Sequence, residues 1–369
     1  MPFSTLQRIT LKGFRSIREM DLDFRSLNVL IGANGAGKSN LVSFFKMLNE
    51  MIGGRLQEYI GGVGRAHSVL HFGPKVTPQV EARLEFQVDD GLDTYNMRLF
   101  HAAGDTLVFA EESFTFHRTG YQNPRVISLG AGHVESHLND EASRNDPSAK
   151  FVRRLLSECR VYHFHDTSLS AAVRHYSYVG DNRWLMPDAA NLAAFLFGLR
   201  NDEGTECYRQ IISTMQLIAP FFADFDLEPA LPNKRDITLN WRHKDSDQVF
   251  GPHQLSDGTL RAICLVTLLL QPNLPDLIIV DEPELGLHPS ALGVVASLFK
   301  RASHHAQVLI STQSSSFLDN FGPEDVIVAD LQGRESKFSR PDLKALQAWL
   351  EDYTIGQVWE KNVIGGGPY

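Results

Sequence analysis

Eight residues restrict this chain more than any others. Positions 32–39 read G-A-N-G-A-G-K-S, the pattern G-x-x-x-x-G-K-S. The apolar Val29, Leu30 and Ile31 before it suit a buried strand, the glycines suit a tight turn, and residues 39–48 suit the start of a helix. Glycine at 32, 35 and 37 lets backbone N–H groups turn inward with no Cβ in the way. Gly32, Ala33, Asn34, Gly35, Ala36 and Gly37 would thus form an anion cradle at the positive end of the helix. Lys38 would reach β- and γ-phosphates, the Ser39 hydroxyl would ligate Mg²⁺, and Asn40 follows in the first helical turn. The expected ligands are a nucleoside triphosphate and Mg²⁺.

A chain of 369 residues with 43% hydrophobic residues can bury a substantial core. Its net charge of −9 supplies no overall positive field to gather nucleic acid, so a DNA partner would need a local patch. Cys159, Cys207 and Cys264 lie far apart and fit no zinc spacing, which favours free thiols in a reducing compartment. Residues 1–8 lack the apolar core of a signal peptide, and the longest apolar run, residues 262–270, falls short of the ~20 residues of a membrane helix. A cytoplasmic protein without a membrane partner is expected.

Apolar–polar alternation predicts strands over residues 6–17 and 20–24, and again over 80–86, 94–100 and 107–116. The glycines of residues 60–67 suggest a mobile loop, and residues 120–150, rich in Gly, Asn, Asp and Ser, a mobile surface excursion. A helix is predicted over 151–159, a strand from Val161, and helices over 187–200, begun by Pro187, and 206–222. Residues 236–241 alternate as a strand. No heptad persists, which argues against a coiled-coil arm and for a compact insertion. From Ser256 the order is helix to about 270, strand 277–280, helix 289–302 and strand 307–311, as in parallel α/β connections.

That last region carries further chemistry. Asp281 and Glu282 directly follow an apolar strand, which in a parallel sheet brings them to the carboxyl edge where ligands bind. Asp281 would hold Mg²⁺ and Glu282 would polarise an attacking water. Ser256 is a natural N-cap, and Gly258 in the first turn would expose amides to an anion. A further strand end lies at residues 311–313. His163, His165 and Asp166 form H-x-H-D on a predicted strand, both histidines on one face, yet with no third ligand nearby they read as structural. Arg153, Arg154, Arg160 and Arg174 read as a solvated basic face, and Arg65 as a solvated loop arginine.

Four stretches together carry a resemblance: residues 32–39, L-S-D-G-T from Leu255, I-I-V-D-E-P-E-L-G-L-H-P from Ile278 and I-S-T-Q-S from Ile310. They are similar to the parts of an ABC-type ATPase head of the SMC, RecF and overcoming-lysogenization-defect (OLD) kind. More narrowly, with H-F-H-D-T from His163 and W-E-K-N-V-I-G-G near the C-terminus, the chain resembles stand-alone bacterial AAA-family ATPases. The implied fold is an α/β P-loop NTPase: an ABC head with a mixed central sheet, an antiparallel β subdomain and a compact, mainly helical insertion. It would form one discontinuous domain, with an N-terminal lobe at 1–118, an insertion at 119–250 and a C-terminal lobe at 251–369.

The resemblance also implies a mechanism. Ser256 and Gly258 would contact the γ-phosphate on the other subunit's P-loop, so that two ATP molecules join two heads in a homodimer or larger homo-oligomer. Hydrolysis then releases them. Two positions depart from the transporter pattern. Asp257 adds negative charge near a triphosphate unless its side chain points away, and Gln313 stands at the switch position, where it can hydrogen-bond but not titrate. The Mg²⁺-sensing glutamine loop would fall near residues 71–75.

Three functions compete. The first is an ATPase that gates an effector or a DNA transaction, in repair or anti-phage defence. Only 58 residues come after Ser311, too few for a Toprim nuclease, so that effector would be encoded separately. The second is a transporter's energy subunit, against which stand the atypical L-S-D-G-T and the 217 positions between Ser39 and Ser256. The third is a nucleotide-sensing scaffold that does not hydrolyse ATP.

Overall fold

The computed structural model describes residues 5–89, 91–138, 140, 146–201 and 204–367. The strands, numbered along the chain, are β1 (Thr5–Phe14), β2 (Ile17–Asp23), β3 (Leu27–Ile31), β4 (Gln79–Val88), β5 (Gly91–Ala102), β6 (Thr106–Arg118), β7 (Arg125–Gly130), β8 (Cys159–Tyr162), β9 (Ser177–Tyr178), β10 (Phe222–Asp226), β11 (Asp236–Ile237), β12 (Asn240–His243), β13 (Val249–Phe250), β14 (Leu277–Asp281), β15 (Gln307–Ser311), β16 (Val326–Gln332) and β17 (Glu335–Ser339). Two compact units result. One comprises Met1–Val161, Pro275–Ile279 and His305–Tyr369, the other Tyr162–Leu274 and Val280–His304. They cut the chain at different points from the three segments expected from the resemblance.

The first unit is built on two six-stranded sheets. One has the order β17-β16-β3-β15-β14-β8, with β3 paired in parallel to both β15 and β16 and β17 antiparallel on the edge. All five residues of β3 are buried, as are all five of β15, which is why both read as continuous apolar runs rather than alternating ones. The other sheet, in the order β2-β1-β4-β5-β6-β7, is antiparallel and alternates buried and exposed residues. The helix Lys38–Ile52 buries Leu41, Phe44, Phe45, Leu48 and Met51 in the same core, where Phe14 and Phe24 meet it edge-on. Gln307 ties the two sheets: its amide accepts from Leu6 N at 2.9 Å and donates to Leu6 O at 2.8 Å.

Several local expectations change. The run 6–17 divides at Arg15, whose φ of 49° reverses the chain, so Ile17 opens the second strand. Residues 60–67, expected as a loop, lie largely in the helices Leu56–Gly62 and Ala66–Val69. The first of these is capped from a distance, Glu135 accepting from Leu56 N and Gln57 N at 2.9 Å, a contact no local pattern could reveal. The 120–150 stretch supplies edge strand β7 and the start of the helix Pro147–Ser157; residues 139 and 141–145 lie outside the described residues.

The second unit combines helices with two small sheets, β10-β12-β13 and β11-β9. Its helices are Leu192–Asn201, Thr205–Ile218, Asp257–Leu270 and Pro289–Ala302. The helix expected from Pro187 starts at Leu192 instead. Buried Asn191 holds the preceding turn by donating to Asp181 O and Trp184 O and accepting from Met186 N. Residues 236–241 split between β11 and β12.

On the core face of the antiparallel sheet, Asp93 is buried and its Oδ1 meets no donor among the described residues. Burial pushes its carboxyl up to about 7. The folded chain therefore holds a proton that the unfolded chain releases near pH ~4, and stability falls as pH rises between about 4 and 7. Asp93→Asn, of the same size but unable to ionise, should be more stable than the parent by roughly 1–2 kcal/mol at pH ~8 and little different at pH ~4. Thermal melts across that range check this; parallel profiles would refute it.

Candidate nucleotide-binding site

In the first unit β3 ends at Ile31, and the loop 32–37 leads straight into the helix at Lys38. Gly37 has φ 106° and forms the N-cap with no side chain, so nothing of its own competes for the first-turn amides. A Cβ at Gly37 would collide with the Ser336 side chain, which excludes any other residue there. Lys38 is 5% exposed, and its Nζ donates to Gly32 O at 2.5 Å and Ala33 O at 3.2 Å, drawing the ammonium under the loop. Asn34, Gly35 and Ser39 are exposed at its rim, while Ala36 and Gly37 are buried. Asn40 donates to Ser16 Oγ at 2.6 Å, and Ser16 Oγ lies 2.6 Å from Ser336 Oγ, so the first helical turn is tied to the turn after β1 and to β17. The loop is a glycine-rich turn at a helix N-terminus with a lysine ammonium drawn beneath it, a geometry suited to a phosphate chain.

Gln313 sits two residues beyond β15, the parallel neighbour of β3, with Ser311 opposite Leu30. Thr312 N donates to Leu30 O at 3.0 Å, extending the pairing to the edge where the loop begins. Gln313 is exposed there. The first unit thus brings Gln313 and the 32–40 loop to one sheet edge.

The second unit gathers Ser256, Gly258, Asp281 and Glu282. Ser256 caps the helix Asp257–Leu270, accepting from Thr259 N at 3.2 Å. Gly258 lies so close to Gly286 O that a Cβ there would collide with it. Asp281 closes β14, and its Oδ1 is buried without a hydrogen-bond donor among the described residues. Glu282 comes next at φ 45°, a left-handed conformation that costs a non-glycine residue about 1–3 kcal/mol and is kept where function over-determines it. Asp281 offers an orphaned carboxylate oxygen in the second unit, and exposed Ser39 a hydroxyl in the first; each by itself is a hard oxygen donor of the kind Mg²⁺ takes.

A model of the family described as "AAA domain, putative AbiEii toxin, Type IV TA system" matches residues 27–319. The chain belongs to this family. The match opens on the first residue of β3 and takes in every candidate residue of the site. No curated protein matches it in sequence. Among solved structures, this AAA-domain chain is similar to a crystal structure of the SmcHead bound to the C-winged helix domain of ScpA. The two are 15% identical, cover 93% of this chain and 99% of that one, and superpose with a TM-score of 0.59. Smc head domains from Pyrococcus furiosus, with an extended coiled coil and bound to the C-terminal domain of ScpA, and from Pyrococcus yayanosii, with a coiled coil and joint, are 14% and 11% identical. Each comparison covers 95% of this chain and 99% of the other, with TM-scores of 0.56 and 0.52. At such identities the likeness concerns the fold: an α/β P-loop NTPase with the SMC-head architecture of mixed sheet and antiparallel β subdomain.

Two arginines organise the AAA domain's second unit, and neither stood out from the sequence. Arg174, expected on a solvated face, is 3% exposed; its guanidinium donates to Thr167 O, Pro252 O and Leu255 O and to Asp257 Oδ1 at 2.8 Å. The negative charge of Asp257 is therefore answered inside the same unit. Arg261 donates to Phe164 O, His165 O and Leu285 O, joining the helix to the 163–166 segment and to the turn after Glu282. His165, expected on a strand, lies beyond the end of β8 at Tyr162 and donates from Nε2 to Asp281 O at 2.7 Å. The histidines therefore do not share a strand face. Among the described residues no His, Cys, Asp and Glu group is arranged to hold a metal by itself, and no helix is long and apolar enough to cross a membrane.

Arg174→Ala would strand three carbonyls and should cost about 2–4 kcal/mol. Asp257→Asn should cost under about 1 kcal/mol, because the Asp257 side chain is 65% exposed. Chemical denaturation of both variants checks the contrast; equal losses would mean that the ion pair, not the carbonyl contacts, stabilises the turn.

Proposed function

We propose that this protein is an ATP-hydrolysing switch whose copies pair around bound nucleotide and thereby gate an effector. The observation that carries the reading is the 32–39 loop: a glycine-rich turn into a helix start with no side-chain cap, with Lys38 drawn beneath it. In this reading the amides of residues 32–37, with Ser39 and Asn40, cradle the phosphates, and Lys38 neutralises the β- and γ-oxygens. Ser39 and Asp281 supply oxygens for Mg²⁺, which when bound offsets phosphate charge. Glu282 takes the proton of the attacking water, its carboxylate held at a strand tip by the left-handed turn. Gln313 hydrogen-bonds to the terminal phosphate or that water. The amides at Ser256 and Gly258 of one copy close on the nucleotide of the other.

The helix Asp257–Leu270 does not oppose an anion partner, because Arg174 already answers Asp257. The family's description names a toxin and a type IV toxin–antitoxin system, which supports a role in defence. Smc heads of this fold have been solved bound to domains of ScpA, which supports a partner effector such as a Toprim-like nuclease, or else a DNA transaction. The segments 1–118 and 251–369 would then be the two lobes of the head, with 119–250 an insertion between them.

Sizing the protein with and without ATP and Mg²⁺ tests the proposal. Glu282→Gln should accumulate an ATP-dependent dimer while phosphate release falls by roughly a hundredfold or more, and Lys38→Ala should lose nucleotide binding. A Glu282→Gln protein that stays monomeric with ATP bound would overturn the pairing, and unaltered phosphate release would favour a non-hydrolysing scaffold.

A further inference from the structure

The W-E-K-N-V-I-G-G stretch has no part in the chemistry of the phosphate loop and lies outside the residues the family model matches. Within the first unit, however, it touches two elements that adjoin site residues. Its helix, Ile355–Glu360, packs on the short helix Ser315–Leu318 just after Gln313. At the contact Gly356 N donates to Asp319 Oδ1 at 2.8 Å, and a Cβ on Gly356 would come within 2.5 Å of Ser315 O. Further on, the chain turns back at Gly366, where φ is 60°. The buried Trp359 indole holds that turn by donating from Nε1 to Gly366 O at 2.8 Å. A Cβ on Gly366 would lie 2.7 Å from Ala329 O. The same Ala329 carbonyl also lies against Gly32, the first residue of the loop, where an added Cβ would collide with it, because β16 pairs with β3 up to Val328 opposite Ile31.

From these contacts we infer that residues 354–367 form a strap that sets the position of both edges of the nucleotide site. Gly366 acts through Ala329 on Gly32, and Gly356 acts through Ser315 on the Gln313 loop. Both are positioning residues that touch neither nucleotide nor water. The two contacts are separable, so they affect different steps. Displacing Ala329 disturbs the cradle and hence binding, whereas displacing Ser315 disturbs the approach of Gln313 and hence turnover. This rests on the phosphate-loop reading of the proposed function.

The test uses the full chain, a fluorescent ATP analogue for affinity, and phosphate release at saturating ATP for turnover. Gly366→Ala and Trp359→Phe should each raise the Kd about tenfold and leave kcat within about twofold. Gly356→Ala should lower kcat about tenfold and leave the Kd within about twofold, the scale expected of a small misplacement. Should a glycine-to-alanine variant fail to fold, Trp359→Phe carries the binding arm and Asp319→Ala, which removes the acceptor of Gly356 N, the turnover arm. Parent-like values in both arms, or equal losses of affinity and turnover that track the drop in melting temperature, would reduce the strap to ordinary packing and overturn the inference. Wild-type protein that does not bind the analogue, or Lys38→Ala that binds it as well as the parent, would sink the phosphate-loop reading itself and the strap with it.

Discussion

A five-residue strand buried on both faces can satisfy its backbone only from its neighbours. β3 meets that demand by pairing in parallel with β15 on one side and β16 on the other. Parallel pairing brings the carboxyl ends of all three strands to one edge, so the segment leaving each strand becomes local to the others. The 32–37 loop leaves β3, the segment with Gln313 leaves β15, and the Ala329 carbonyl on β16 abuts Gly32. The place of the 32–37 loop is a by-product of how this sheet saturates its hydrogen bonds, and Lys38 reaches back to Gly32 O and Ala33 O beneath it.

The second unit is organised by guanidinium groups rather than by a sheet. Arg174 and Arg261 between them take carbonyls from residues 164, 165, 167, 252, 255 and 285, segments far apart in the chain. A fork of fixed donors suits such turns, whose carbonyls have no ladder to join. Ser256, Gly258 and the turn after Asp281 thus owe their arrangement to two side chains that bear no nucleotide chemistry themselves.

The range of each interaction decides whether the sequence disclosed it or hid it. The strand–turn–helix at 27–52, the Ser256 cap and the strand ending in Asp281 depend on residues a few positions apart, and each was legible. The helix Leu56–Gly62 depends on Glu135 for its cap, and the split of residues 236–241 depends on partners in two different sheets. Arg174 looked solvated because a charge count ignores the carbonyls that bury it. His163 and His165 looked like a strand pair because β8 could not be seen to stop at Tyr162.

One buried amide has a wider reach than its size suggests. Gln307 gives both its oxygen and its nitrogen to Leu6 while its own strand lies in the nucleotide sheet, and none of its polar atoms sees water. Opening either sheet alone would strand a donor and an acceptor in an apolar interior. The antiparallel sheet and the sheet that carries the 32–37 loop are therefore bound to open together, as a single cooperative block.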